Sequence, residues 1–431
     1  MNSEMLRDII ETSIEAVKPY KVIENAIKLA DKILSIHGHT FDLTEYDKIF
    51  IAGSGKASIK MAKSIKELLN NNSVRTECFI VSNYYETVTD ITVKLGSHPI
   101  PTDKSVEAAK GMIDFLSKCK KHNFLIYLLS GGSSALMELP KPPLTIEDIQ
   151  KVTKVLLNAG LNINELNCIR KKLSLIKGGK LNKYINCNGA VLVLSDVIGD
   201  KLESIGSAPL YYKKEEINVT NLMHRYNLEE KLSKTILEVI LTDEEDISNK
   251  LPHVIIGNNL TALKAAKRKA TRYGLTCEIL TSTLRGEASQ AGKVIASIGE
   301  YQSKNSKENK LFIFGGETTV TVKGCGLGGR NQELALSALQ EIEGYNNIYI
   351  ASFGTDGIDG PTDVAGAIVN NDLLLKAKNL SIVIDTYLNN NDSYNFFKKV
   401  GGHITMGPTG TNVCDIVLLF ILPSEVNKIG Q

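Results

Sequence analysis

Short runs of consecutive apolar residues, each closed by glycine, serine or aspartate, alternate with stretches of helical spacing through the first half of the chain. They read KIFIAGSG at 48–55, ECFIVSN at 77–83, NFLIYLLSGG at 123–132 and AVLVLSDVIGD at 190–200. Runs this short and this uniformly apolar suit strands buried on both faces, and their alternation with helical segments predicts a parallel sheet with crossover helices. In such sheets the loops at the carboxyl ends of the strands form the ligand crevice. The glycines and acids of this half fall at those ends.

The second half restarts the pattern with HVIIGNN at 253–259, a helix over about 260–273, LTCEIL at 275–280, LFIFGGETTVTVKG at 311–324, NIYIASFGTDG at 347–357 and CDIVLLFILP at 414–423. Its TTVTV segment reads as a hairpin and so predicts a mixed sheet. A polar stretch over 213–250 lacks the glycine punctuation found on either side and is read as the boundary between residues 1–240 and residues 250–431. The fold class expected is α/β, with two different α/β domains: an N-terminal Rossmann-like three-layer parallel sheet and a C-terminal mixed sheet with helices. At the N-terminus Leu6, Ile9, Ile10, Ile14 and Val17 recur at helical spacing with acids between them, which predicts a docked amphipathic helix rather than a secretory segment.

Composition narrows the function classes. The 431 residues exceed what one core usually holds, so two domains are expected. Fifty basic against forty-eight acidic side chains leave a net charge of +2, which offers no chain-wide field for nucleic acid or a membrane surface. No apolar run approaches the roughly 18 residues of a membrane span. The seven cysteines show no CxxC pair and no zinc spacing, and they are read as buried thiols of a cytoplasmic protein.

The turn IAGSGKAS, at 51–58, fails as a phosphate-cradling P-loop, because Phe50 stands where the first glycine belongs and Ala57 follows Lys56. It is also a weak dinucleotide fingerprint: Gly53 and Gly55 fit, but Ser58 replaces the third glycine and the next strand ends without a ribose-binding acid. What survives is Gly53, Ser54 and Gly55 opening a helix beside the Lys56 ammonium, either an anion site or a surface lysine after a tight turn. LLSGGSSAL, at 128–136, ends a buried strand on Ser130, Gly131, Gly132, Ser133 and Ser134, which supply N–H and hydroxyl donors. It is not a nucleophile elbow, because Ala135 stands where that motif needs glycine.

NCIRKKLSLIKGGKL, at 167–181, places Arg170, Lys171, Lys172, Lys177 and Lys180 at helical spacing, and most of them read as a solvated face. Asp196 and Asp200 follow a core strand, where a carboxylate can take a hydroxyl proton, bind magnesium, or cap a turn. In the second half, Glu317 follows a glycine pair, and Arg330 and Asn331 open a helix after GLGG. Arg330 has the planar fork that suits phosphate or carboxylate. Asp356, Asp359 and Asp363 lie among glycines, as magnesium ligands or as turn formers. Gly407 and Thr409 form the last turn. Glycine turns, cations and strand-end acids together are the parts list of phosphoryl transfer.

In order along the chain, GSGKAS, GSHPIP, LLSGGSSAL, NCIRKKLSLIKGGKL, SDVIGD, GGETTVTVKGCGLGGRNQE, GTDGIDGPTDVAG and GPTGTNV make the sequence resemble the class II glycerate kinases. This is the glycerate 2-kinase family, whose C-terminal half is called the MOFRL domain. The resemblance implies transfer of the γ-phosphoryl group of ATP to the 2-hydroxyl of D-glycerate, with Mg2+, in a cleft between the two domains. It implies that Lys56 and Arg330 are the functional cations; Asp196, from its place beyond the core strand, is expected as a third catalytic residue. Gly53, Ser54, Gly55, Ser130, Gly131, Gly132, Ser133, Ser134, Arg170, Glu317, Asn331, Gly407 and Thr409 are then expected around substrate and phosphates, and Asp196, Asp200 and Asp356 around the metal. A homodimer is allowed, and neither nucleic acid nor membrane is expected as a partner. Departures are Ser133 where the family commonly has glycine, GSAP at 206–209, and Cys414 for a frequent asparagine; they bear on loop shape and substrate fit. The alternatives are an NAD(P)H-dependent hydroxypyruvate reductase and a non-catalytic sugar-acid or nucleotide sensor.

Overall fold

The computed structural model describes residues 3–72, 74–214, 216–242 and 247–423. The chain divides into two compact units, Pro19–Gly257 and a second made of Met1–Lys18 with Asn258–Gln431.

The first unit begins with a small antiparallel meander, β1 (Ile27–Ala30), β2 (Ile33–Ile36) and β3 (His39–Asp42). Its main sheet holds β4 (Lys48–Ser54), β5 (Thr76–Ser82), β6 (Thr92–Leu95), β7 (Asn123–Ser130), β8 (Asn188–Leu194) and β9 (His253–Gly257). The spatial order is β6-β5-β4-β7-β8-β9 and every pairing is parallel. The central strand β7 is buried along its whole length, as its unbroken apolar run requires when helices cover both faces. The helices Ser58–Asn70 and Asp103–Lys118 are among the crossovers. A satellite core gathers Leu156, Ile169, Leu222 and Ile240 from the helices Ile146–Asn158, Ile163–Lys172, Val219–Arg225 and Lys234–Leu241. The last two helices lie within the polar 213–250 stretch, where apolar residues on one face of each short helix do the packing.

The second unit is built on β10 (Thr276–Leu284), β11 (Lys310–Gly316), β12 (Ile348–Gly354), β13 (Gly366–Asn370), β14 (His403–Ile404) and β15 (Asp415–Ile421), in the order β10-β11-β15-β12-β13-β14. The sheet is mixed: β10 pairs β11 in parallel, while β15 runs antiparallel to both neighbours. The mixed character therefore comes from β15 and β13, which run against the other four strands. The expected TTVTV hairpin does not form, and that segment makes only an isolated bridge from Thr319 to Glu287. The N-terminal helix Ser3–Glu15 is present as expected and packs on the helix Asn259–Arg272. Asp8 receives Lys269 at 2.8 Å and the Tyr273 hydroxyl at 2.6 Å, and Thr411 donates to the Val17 carbonyl at 2.6 Å. These contacts tie the N-terminal segment to the rest of the second unit.

Candidate active site

The carboxyl ends of β4, β7 and β8 lie side by side, so the topology of the first unit brings the Gly55, Gly131 and Asp196 turns together. Gly55 has φ +132°, and a β-carbon there would stand 2.2 Å from Ser130 Oγ and 2.5 Å from its carbonyl oxygen. Glycine is required by both the conformation and the approach. Lys56 N–H donates to the Gly131 carbonyl at 2.9 Å and Ala57 N–H to Ser130 Oγ at 3.1 Å, which locks the two turns to each other. The Lys56 side chain is exposed and lies over Gly132, whose β-carbon would sit 3.2 Å from Lys56 Cε and 3.2 Å from His98 Cδ2. Among the described residues no carboxylate pairs with its ammonium. On the neighbouring side of the same turn, a β-carbon on Gly131 would stand 1.8 Å from Asp196 Oδ2. One glycine pair thus carries a cation on one side and a carboxylate on the other.

Below this turn the hydroxyls are held. Ser54 Oγ lies 2.6 Å from Ser133 Oγ and 2.9 Å from the Tyr127 hydroxyl, with Ser54 and Ser133 both buried. Their hydroxyls bond to each other and to Tyr127, which fixes the turn. Ser134 Oγ bonds Ser207 Oγ at 2.7 Å and accepts from Arg170 Nη2 at 3.0 Å. Asp200 sits in the turn that follows β8, with its N–H donating to the Val197 carbonyl at 3.0 Å. Gly53 lies within β4, paired with Ile80 and Leu128.

The solvated-face expectation for the 170–180 cations is overturned: Lys171, Lys177 and Lys180 are each less than a tenth exposed. Lys177 donates to Glu138 at 2.5 Å and to the Ser134 carbonyl at 2.7 Å. Helical spacing implied one continuous helix, but it stops at Lys172 and the chain turns inward. Burial, aided by the charge of Arg170, pulls Lys177 down to about 8 against the opposing pull of Glu138.

In the second unit the register places Gly316 and Gly354 on either side of Asp415, so the ends of β11 and β12 meet the start of β15 at one edge. Arg330 grips Asp415 with both arms of its fork, Nε at 2.5 Å and Nη2 at 2.9 Å, and reaches Glu317 with Nη1 at 2.9 Å. Burial would lower the guanidinium's affinity for its proton, but the bond and charge of Asp415 outweigh burial and raise it. Burial pushes the Asp415 carboxyl up to about 6 despite Arg330, so at neutral pH it is the ionised partner. Asn331 is buried in a structural network: its N–H and side chain donate to Asp359 at 3.0 and 3.2 Å, and its Oδ1 accepts from Ser352 at 2.6 Å. Asp359, with Gln332 also donating to it, caps the helix Arg330–Glu341. Asp356 holds its own turn through Ile358 N–H at 3.2 Å, and Thr409 N–H donates to the Asp356 carbonyl at 3.1 Å. The Gly407 carbonyl lies against Gly357, which joins the last turn to the aspartate loop.

His98, Glu138 and Asp415 were not singled out from the sequence. His98 stood inside the quoted GSHPIP string, whereas Glu138 and Asp415 carried no signal beyond lying next to glycine-rich turns. Burial, with the nearby Lys56 charge, lowers the pKa of His98. Among the described residues no three His, Cys, Asp or Glu side chains gather into a metal centre. Nor is any described helix long and apolar enough to cross a membrane. The cysteines are not uniformly buried, since Cys325 is exposed and Cys187 and Cys277 are partly so.

Residues 5–241 match the family described as "Domain of unknown function (DUF4147)", and residues 310–415 match the MOFRL family. The chain is 36% identical to the glycerate 2-kinase of Pyrococcus horikoshii, covering 96% of each. It is 35% identical to the D-glycerate 2-kinase of Thermotoga maritima, over 96% of this chain and 97% of that one. Its fold is similar to the crystal structure of a glycerate kinase from Thermotoga maritima, with a TM-score of 0.87 at 34% identity, covering 97% of this chain and 99% of that one. The two-unit α/β fold, its glycine-turn sites and these similarities make the chain a member of the DUF4147–MOFRL glycerate kinase family.

Proposed function

We propose that the protein is a glycerate 2-kinase, transferring the γ-phosphoryl group of ATP to the 2-hydroxyl of D-glycerate. The observation that carries this reading is the glycine pair Gly131–Gly132, with the Lys56 ammonium on one side and the Asp196 carboxylate on the other. Phosphoryl transfer needs little covalent help from a protein. It needs a cation to balance charge on the transferring group, and a carboxylate to orient the acceptor hydroxyl and take its proton.

The acceptor's carboxylate rests on backbone N–H groups of the 131–134 turn and on the unused donors of Arg170. The 2-hydroxyl oxygen forms the new bond to phosphorus as the bond to the β–γ bridging oxygen breaks. The hydroxyl proton passes to Asp196, and ADP leaves with the bridging oxygen. Lys56 neutralises charge on the transferring group, and Arg330, held by Asp415 and Glu317, is the candidate functional cation of the second unit. Gly55 and Ser130 shape the turns beside Lys56, and Gly407 and Thr409 shape the last turn of the second unit.

Asp200, in the turn that follows β8, is the carboxylate that would hold Mg2+, an ion that takes one or two carboxylates together with phosphate oxygens. Magnesium would supply charge neutralisation on the phosphate chain. Asp356 belongs to the other unit and holds its own turn.

ADP release that depends on both D-glycerate and ATP tests the reading. A protein that instead consumes NADH with hydroxypyruvate, or binds its ligands without turnover, would refute it. The nucleotide-fingerprint turn lacks its third glycine and its ribose acid, which disfavours nicotinamide chemistry.

A further inference from the structure

Lys177 is among the largest fully buried side chains of the described residues, only 1% exposed. A buried charge is costly unless paired, so a lysine kept there has a task its surroundings define. Lys180, also buried, caps carbonyl groups of Lys171 and Ser174, which accounts for it structurally. Lys177 is different, because it joins Glu138 to the Ser134 carbonyl directly under the glycine turn.

Three charged groups share this pocket: Lys177, Glu138 and Arg170. Glu138 opposes the lowering that burial imposes on both Arg170 and Lys177, and the Arg170 charge adds to the lowering at Lys177. Within this trio two cations face one carboxylate, a surplus of one positive charge. Glu138 gives its ion pair to Lys177, while among the described residues Arg170 is left with a single hydrogen bond, to Ser134 Oγ, and a buried Nε that has no partner. A guanidinium beside a free buried carboxylate would form a bidentate pair with it, and Lys177 is what occupies that carboxylate.

We propose that Lys177 is a positioning residue: by engaging Glu138 it keeps the Arg170 guanidinium available for the carboxylate of a small hydroxy acid. This rests on the reading of Arg170 as the acceptor's anchor. Without the lysine, Glu138 takes Arg170 for itself, and the site loses its surplus charge although Arg170 is still present. Deleting the lysine and neutralising the glutamate together restores one unopposed cation.

Steady-state kinetics of Lys177→Met, of the double variant Lys177→Met/Glu138→Gln and of Arg170→Ala test this, with KM measured separately for glycerate and for ATP. The expected result is a glycerate KM raised about tenfold or more in Lys177→Met, an ATP KM changed by less than about threefold, and recovery of most of the glycerate affinity in the double variant. A merely structural lysine predicts that the double variant is no better than the single. That outcome, or a wild-type glycerate KM in Lys177→Met, overturns the proposal while leaving the Arg170 reading intact. An unchanged glycerate KM in Arg170→Ala removes the Arg170 reading and the proposal with it. If Lys177→Met does not fold, the wild-type enzyme supplies the same perturbation. Raising the pH through about 8 discharges Lys177 between Glu138 and Arg170, so the glycerate KM climbs there in wild type and stays level in the double variant. A wild-type KM that stays flat across that range counts against the proposal.

Discussion

Gly131→Ala adds one methyl group at a position where the structure specifies what it meets. The new carbon would stand 1.8 Å from Asp196 Oδ2, whereas ordinary contact begins at 3.4 Å, so the carboxylate must retreat by about 1.6 Å. Gly131 does not occupy the left-handed region, so alanine is not strained there, and the atom it meets first is the far end of a partly exposed side chain. The fold should therefore survive, with a melting temperature within a few degrees of wild type, while the chemistry suffers. A displacement of about 1 Å at a reacting group can reduce the rate about 10²-fold, so kcat for glycerate-dependent ADP release should fall by about that factor. Combining the substitution with Asp196→Asn sharpens the test, because two changes acting through one carboxylate should not multiply. A Gly131→Ala enzyme within about threefold of wild-type kcat, or a double variant whose loss is the product of the two single losses, would refute the assignment of Asp196.

Lys56→Ala and Arg330→Ala should each lower kcat by roughly 10² or more with smaller effects on KM, as expected for contacts that strengthen in the transition state; turnover within a few-fold of wild type in both would remove the two cations from the mechanism. Because Asp415 protonates below about 6 and then no longer balances Arg330, kcat should show an acid limb near that pH, and Asp415→Asn should abolish the limb while lowering the plateau. Lys177 binds its proton less tightly in the folded state than in the unfolded chain, so between about 8 and the ordinary lysine value of 10.5 the unfolded state carries more protons. Its contribution to stability therefore rises with pH across that window, and chemical denaturation at pH 8 and pH 10 should show the rise in wild type relative to Lys177→Met.

Strand runs such as NFLIYLLS and the glycine turns that close them were readable because burial on both faces imposes an unbroken apolar pattern and because tight turns demand glycine. That was enough to bring Lys56, Gly131 and Asp196 to neighbouring strand ends. The side-chain networks beneath were not readable. Lys177 and Lys180 look like surface cations in the sequence, since nothing local reveals that the helix stops at Lys172 and that Glu138 and backbone carbonyls wait in the interior. The role of Asp415 emerges only when β15 is seen to run antiparallel between β11 and β12, a pairing across almost a hundred residues of chain. TTVTV shows the converse, a strand-like pattern with no neighbour to pair along its length.

Whether the protein phosphorylates glycerate at its second carbon is decided most directly by incubating it with D-glycerate, ATP and magnesium and identifying the product by phosphorus and carbon NMR. Coupling of the new phosphorus signal to the C2 methine, giving 2-phosphoglycerate with one equivalent of ADP, is the predicted result. A phosphate on the C3 methylene, or no phosphorylated acid at all, would contradict it.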